Sequence, residues 1–337
     1  MSQKLEMHST SKPDKCAVVT GANKGFGLEI VRRLASEGIQ VVLTARNEKR
    51  GMDATTSLLA SGLSNVVFHQ LDVRDPASAD SLANFIQSEY GRLDILVNNA
   101  GASGVVVDEE GLKALNIDPI AWVSMELLIQ YSGLLKKYDR NTLKLIELMQ
   151  LSGKANNIVQ GVIKHTYESG EECLDTNYFG CKRVTEALMP LLKLCSSGAR
   201  IINVSSLRSE LKRLPNEQIR TELGDICSLT EDQLDCIIKQ FLHDLKQGKL
   251  EENGWPMMLP AYSISKMTLN AYTRVLAKKY PDMYINCVHP GYVNTDINWH
   301  TGTMSIEEGA KGPVMLALLP NGGPSGCYFD QTEKAEF

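Results

Sequence analysis

A short apolar run, Cys16-Ala17-Val18-Val19-Thr20, passes directly into Gly21-Ala22-Asn23-Lys24-Gly25-Phe26-Gly27. Leu28, Ile30, Val31 and Leu34 then fall on one face of a helix that ends at Gly38. A buried strand, a tight glycine turn and an amphipathic helix make the first half of a crossover unit. The pattern recurs: 40–45, 66–71, 93–98, 200–204 and 284–288 are further apolar, strand-like runs separated by helical spacing. Strands alternating with helices predict an α/β fold, a doubly wound parallel sheet with right-handed crossovers. Residues 1–14 are polar and read as a flexible tail. The rest, 15–337, reads as one domain of the Rossmann type with helical insertions at about 102–170 and 208–255. In the first insertion Leu127, Leu128, Tyr131, Leu134 and Leu135 lie at helical spacing. It is expected to form either a wall over the site or a structural embellishment.

In such a sheet, ligands bind beyond the carboxyl ends of the strands. Gly21, Gly25 and Gly27 at the first strand-to-helix turn let the backbone approach a pyrophosphate, and the helix N-terminus favours its charge. At the end of the second strand, where a carboxylate would bind a ribose 2′-hydroxyl, stands Ala45 followed by Arg46, with Arg50 one turn on. Guanidinium groups there suit a 2′-phosphate, which points to NADP(H) as cofactor. Lys24 either adds positive charge or is a solvated lysine. Asp72, after the third strand, either accepts from the adenine amino group or caps the helix that starts at Pro76.

The second half carries groups suited to proton transfer. In Pro260-Ala261-Tyr262-Ser263-Ile264-Ser265-Lys266 the four-residue spacing puts Tyr262 and Lys266 on one helical face. An ammonium beside a phenol favours phenolate, so the Tyr262 pKa is expected to fall toward neutrality. Ser205 and Ser206 close the fifth strand, and Asn177 lies inside a predicted helix over 171–194, although Asn is a poor helix former. His289 ends the sixth strand and is either a general base or a packed histidine.

Composition narrows the partners. The net charge of -5 offers no basic stripe for nucleic acid. No apolar stretch is long enough to cross a bilayer, and no secretory signal precedes the first strand, so a cytoplasmic protein is expected. The 8 Cys lack metal-ligand spacing and read as reduced thiols, and no two His are spaced as metal ligands.

Thr20-Gly21-x3-Gly25-x-Gly27, Asn98-Asn99-Ala100-Gly101, Asn177, Ser206, Tyr262-x3-Lys266 and Pro290-Gly291 follow in an order that resembles the short-chain dehydrogenase/reductase family over nearly the whole chain. The insertion between Ser206 and Tyr262 is similar to that of its monomeric carbonyl reductases. The stretches at 66–72, 253–256, 270–279 and 323–326 resemble plant members that act on ketones of alkaloid and terpenoid metabolism, although the first insertion is longer here. The resemblance implies Tyr262 as acid/base, Lys266 as the group tuning it and holding the ribose, and Ser206 as hydrogen-bond donor to the substrate oxygen. Asn177 would hold a water linking Lys266 to solvent. Gly21, Asn23, Lys24, Gly25, Phe26 and Gly27 would meet the cofactor, Arg46 and Arg50 its 2′-phosphate, and Asp72, Val73 and Asn99 its adenosine. Pro290, Gly291, Val293 and Thr295 would face the nicotinamide. The implied activity is NADPH-dependent reduction of a ketone to a secondary alcohol on a bulky apolar substrate, by a monomer. An alcohol dehydrogenase working in the oxidative direction uses the same residues. A non-catalytic NADP(H) sensor would need a damaged set.

Overall fold

The computed structural model describes residues 13–108, 110 and 163–337. The helical stripe at 127–149 lies outside these residues. The first four strands are β1 (Cys16–Val19), β2 (Gln40–Ala45), β3 (Val66–Gln70) and β4 (Ile95–Asn98). Helices α1 (Gly25–Ser36), α2 (Glu48–Ala60) and α3 (Pro76–Glu89) connect them. After the short antiparallel pair β5 (Val106–Val107) and β6 (Ile163–Lys164) come α4 (Tyr167–Leu174) and α5 (Gly180–Leu192), then β7 (Arg200–Val204). Helices α6 (Glu217–Gly224), α7 (Glu231–Gln247) and α8 (Pro260–Lys279) lead to β8 (Tyr284–His289). The chain closes with α9 (Ile306–Gly309), α10 (Lys311–Ala317), β9 (Tyr328–Asp330) and β10 (Glu333–Ala335).

The sheet order is β10-β9-β8-β7-β4-β1-β2-β3, parallel except for the β9–β10 pair. The chain walks outward through β2 and β3, then returns to the other side of β1, so a crevice opens beyond the ends of β1 and β4. Strand alternation splits the core. Val18, Val42, Leu96 and Ile201 pack with Leu82, Val184, Leu188 and Tyr272 on one face. Val19, Leu43, Val97 and Ile202 pack with Ile30, Leu34 and Val314 on the other. The two strands after 320 were not expected from sequence; each has three residues, too few for an alternation to register.

The helix expected over 171–194 is two helices joined by a π-helical turn, Asp175–Phe179. One extra residue per turn shifts register at Asn177, and such bulges occur mostly at functional sites. The capping reading of Asp72 is also corrected. Asp75 caps α3, accepting from Ala77 N at 3.0 Å, while Asp72 Oδ1 accepts from Arg74 N.

The second insertion packs where its apolar stripe predicts. Leu234, Ile237, Ile238 and Phe241 of α7 are buried, each burial contributing roughly 2 kcal/mol. Phe241 meets the Trp255 ring edge-on, and Trp255 Nε1 donates to the buried Asp244 at 2.8 Å. Polar ties seat α7 on its neighbours. Asp235 accepts from Tyr178 Oη and Lys182 Nζ, and Glu231 from Lys279 Nζ. Helix α7 thereby lies against α8 and reaches α5 at Lys182.

Candidate active site

The loop after β1 is built for close approach. Gly21 has φ +63°, and a Cβ there would stand 2.9 Å from Ala100 Cα. A Cβ on Gly27 would meet Asn99 Nδ2 at 2.5 Å. That amide donates to the carbonyls of Thr20 and Gly21, while Thr20 Oγ1 accepts from the backbone of Asn99 and Ala100. The ends of β1 and β4 are thus tied into one rigid rim. No side chain caps α1, in contrast to α2, α3, α4 and α7, each capped by Asn, Asp or Thr. An uncapped helix N-terminus beside open space at Gly25 fits a dinucleotide pyrophosphate.

A cavity of about 1260 Å³ runs from this rim along the strand ends. Every candidate cofactor residue lines it, as do Ser206, Tyr262 and Lys266. Arg46 and Arg50 stand at one end with Asp72 and Val73. Tyr262 and Ser206 stand at the other, among Val105, Leu207, Met258, Ile297 and Trp299.

Asn177 does not line the cavity and is 1% exposed. Its Oδ1 accepts from Ala102 N at 2.8 Å, and its Nδ2 donates to Ala102 O, to Ser265 Oγ and to Cys173 Sγ. The amide joins the loop after β4, α4 and α8. The π-turn is what aims it there.

A family model described as short chain dehydrogenase matches residues 15–128. The chain is 50% identical over 323 residues to short-chain dehydrogenase/reductase 1 of Saponaria officinalis, covering 95% of each chain. It is 46% identical to (+)-neomenthol dehydrogenase of Arabidopsis thaliana, over 95% of this chain and 97% of that one. The chain belongs to the short-chain dehydrogenase/reductase family. The salutaridine reductase structure from Papaver somniferum superposes with a TM-score of 0.79 at 44% identity, covering 94% of this chain and 99% of that chain. Carbonyl reductase [NADPH] 1 of mouse is 34% identical, over 97% of this chain and 99% of that one. The protein is therefore an oxidoreductase acting between C=O and CH–OH with a nicotinamide dinucleotide.

For this reductase/dehydrogenase fold the electrostatics correct one expectation. Lys266 Nζ donates to Val204 O at 2.8 Å and sits 5.6 Å from the Tyr262 ring centroid. Burial pushes the Tyr262 phenol up to about 12; a hydrogen bond from Ser206 opposes the rise, and nearby Arg208 pulls the same way. Desolvation outweighs the charges, so Tyr262 is a protonated donor rather than a phenolate. Burial also pushes Lys266 down to about 8. Ser206 Oγ accepts from Arg208 N at 3.2 Å, which leaves its own proton to give away.

The structure also gives Lys24, His289, the valines at 105–107 and Ser205 definite places. Lys24 lines the cavity with its side chain exposed and pairs there with Asp296. His289 lines the cavity, and burial, opposed by Asp330, pushes it down to about 4, so it is neutral at pH 7. Its Nδ1 is buried without a hydrogen-bond partner among the described residues. Of the valines at 105–107, Val105 lines the cavity and Val106 is exposed. Ser205 turns into the core, bonded to Asn270.

Sequence reasoning passed over Arg74, Glu172 and Arg208, all in the cavity wall. Glu172 accepts from Arg74 at 3.0 Å and lies 4.0 Å from Arg46. Burial pushes Arg208 down to about 9. No motif marks these three, and the contact between Arg74 and Glu172 joins segments distant in sequence. Leu259, also in the wall, holds a left-handed φ of +48° ahead of Pro260, a strain of roughly 1–3 kcal/mol that surrounding packing must hold. Among the described residues no His, Cys, Asp or Glu group converges as a metal site, and no helix is long and apolar enough to span a membrane.

Proposed function

We propose that this enzyme reduces a ketone to a secondary alcohol on a bulky apolar substrate of alkaloid or terpenoid type, using NADPH. The observation that carries the reading is one cavity lined by Arg46 and Arg50 and also by Tyr262, Ser206 and the apolar side chains of Val105, Leu207, Met258 and Ile297. Pockets for one small ligand run to about 1,000 Å³. At about 1260 Å³ this one has room for a dinucleotide and an apolar partner together. Relatives named for salutaridine, neomenthol and NADPH support the same class.

The bound nicotinamide would supply the hydride. The chain's residues do the rest. Gly21, Asn23, Gly25, Phe26 and Gly27 hold the pyrophosphate side, and Arg46 and Arg50 hold the 2′-phosphate. Asp72, Val73 and Asn99 line the adenosine end, while Pro290, Gly291, Val293 and Thr295 line the nicotinamide end. Ser206 donates to the carbonyl oxygen, and Tyr262 hands it a proton as charge develops. Lys266 holds the ribose hydroxyls and supplies positive charge behind the phenol. Asn177 positions rather than reacts: its side chain spans Ala102 and Ser265, so any relay water is held by other atoms. The oxidative direction uses the same groups in reverse. We also read the protein as cytoplasmic, and as a monomer, since α7 is tied across α8 and onto Lys182 of α5.

NADPH consumption should be measured against monoterpene ketones and polycyclic alkaloid ketones. Turnover on one class is expected. If every ketone fails and alcohols with NADP+ react instead, the oxidative reading replaces this one.

The same chemistry sets a pH profile. Lys266 loses its proton as pH rises through about 8. Tyr262 stays protonated well beyond that, since its pKa is raised to about 12. Reductive kcat/KM is therefore expected to be level on the acid side and to fall ~tenfold per pH unit above the Lys266 pKa. A profile that stays level to pH 10, roughly two units beyond that pKa, would show that the Lys266 charge is not required.

A further inference from the structure

The face of α8 that carries Tyr262 and Lys266 continues one turn further to Asn270, which is 0% exposed. Its Oδ1 accepts from Ser205 Oγ at 2.5 Å, and its Nδ2 donates to Ser209 Oγ at 2.8 Å. Ser209 Oγ in turn donates to the carbonyl of Ser206 at 2.5 Å, and Ser209 N donates to the same oxygen at 2.9 Å. Ser205 and Ser209 are likewise buried, at 2% and 0%. The chain end beyond β7 is thus fastened to α8 at successive residues. Lys266 holds Val204 O, and Asn270 holds Ser205 directly and Ser206 through Ser209.

We propose that Asn270 is a positioning residue, which sets the Ser206 hydroxyl against Tyr262 by locking residues 204–209 onto α8. The chemistry asks for an amide. Ser209 spends its proton on Ser206 O, so it must accept from its neighbour; Ser205 donates, so its neighbour must accept. One donor and one acceptor on a single side chain satisfy both, in one orientation. A leucine of similar size satisfies neither and leaves buried hydroxyls unpaired. Placement of reacting groups is sensitive: a shift of roughly 1 Å costs about 100-fold in rate.

The proposal rests on the reductase reading, and its test separates the two. The full-length enzyme carrying Asn270→Leu, Ser206→Ala or both would be assayed with menthone and NADPH, alongside hydrogen exchange of the 204–210 segment and NADPH affinity by fluorescence. Asn270→Leu should lower kcat about 30-fold with NADPH affinity changed by less than about threefold. It should speed exchange of the Ser209 amide at least tenfold, roughly. On the Ser206→Ala background it should cost less than about twofold more, because it acts through Ser206. Equal losses on both backgrounds, or unchanged exchange, overturn the proposal. If Asn270→Leu does not fold, Ser209→Ala removes the same link with a smaller change and carries the same expectations. Exchange needs no turnover. An unsubstituted enzyme inert toward ketones would sink the reductase reading and leave the exchange result to decide whether Asn270 locks this segment.

Discussion

Tyr262→Phe is expected to lower reductive kcat by about 1,000-fold while NADPH affinity changes less than about threefold. The substitution removes one oxygen and keeps the ring, which packs at the edge of the core cluster around α8. Fold and cavity shape should therefore persist. What is lost is the donor that neutralises the developing alkoxide. A positioned acid contributes roughly 10²–10⁴-fold, and water entering the gap recovers part of that. Ser206 still donates, so a residual rate well above background remains. Because the Tyr262 pKa is held at about 12, its acid form dominates at every pH where the protein is assayed. The variant's rate should thus gain no new dependence on pH below 8, roughly the Lys266 pKa. Single-turnover hydride transfer, followed by NADPH absorbance, checks the prediction without product release in the way. A loss smaller than about tenfold would assign the proton to another group, and Arg208 or a water on Ser206 would be the next to test.

The sheet was legible because its strands are short, largely apolar and punctuated. Val18, Val42, Leu96 and Ile201 announce a buried parallel core before any contact is known. The glycines of the first turn were legible for a related reason: Gly21 and Gly27 sit where a Cβ collides with the β4 loop. Tyr262, Ser206 and the candidate cofactor residues line one cavity. Three things were not legible. The π-turn at Asn177 is a register shift of one residue, and it leaves no trace in hydrophobic periodicity. The Tyr262 pKa was misjudged because a four-residue spacing fixes neighbours but not desolvation. Lys266 is one turn away and donates to Val204 O, but burial of the phenol outweighs the charges around it. The Glu172 contacts with Arg46 and Arg74 join segments far apart in the chain, and only the fold brings them together.

Arg46→Ala is expected to lower the preference for NADPH over NADH, as a ratio of kcat/KM, by about 100-fold, with NADH kcat/KM changed less than about threefold. Arg46 follows Ala45 at the end of β2, so the strand itself ends without a carboxylate for a 2′-hydroxyl. Its side chain is 65% exposed, so removing it costs little packing and the effect reports on the ligand rather than the fold. A guanidinium holds a phosphate through two parallel charge-assisted bonds, and the ribose hydroxyl of NADH gives it nothing comparable. Glu172, 4.0 Å from Arg46 and 3.0 Å from Arg74, keeps both guanidiniums near the adenosine end but also competes for them. Its exposure, 51%, means that salt screens the competition readily. Salt also screens the attraction of Arg46 for the 2′-phosphate, which carries more charge than the Glu172 carboxylate, so the NADPH preference should weaken as ionic strength rises, and more steeply in the unsubstituted enzyme than in Arg46→Ala. If both cofactors lose equally, Arg46 is shaping the loop; if neither changes, Arg50 and Arg74 carry the 2′-phosphate, and the same titration on Arg50→Ala decides between them.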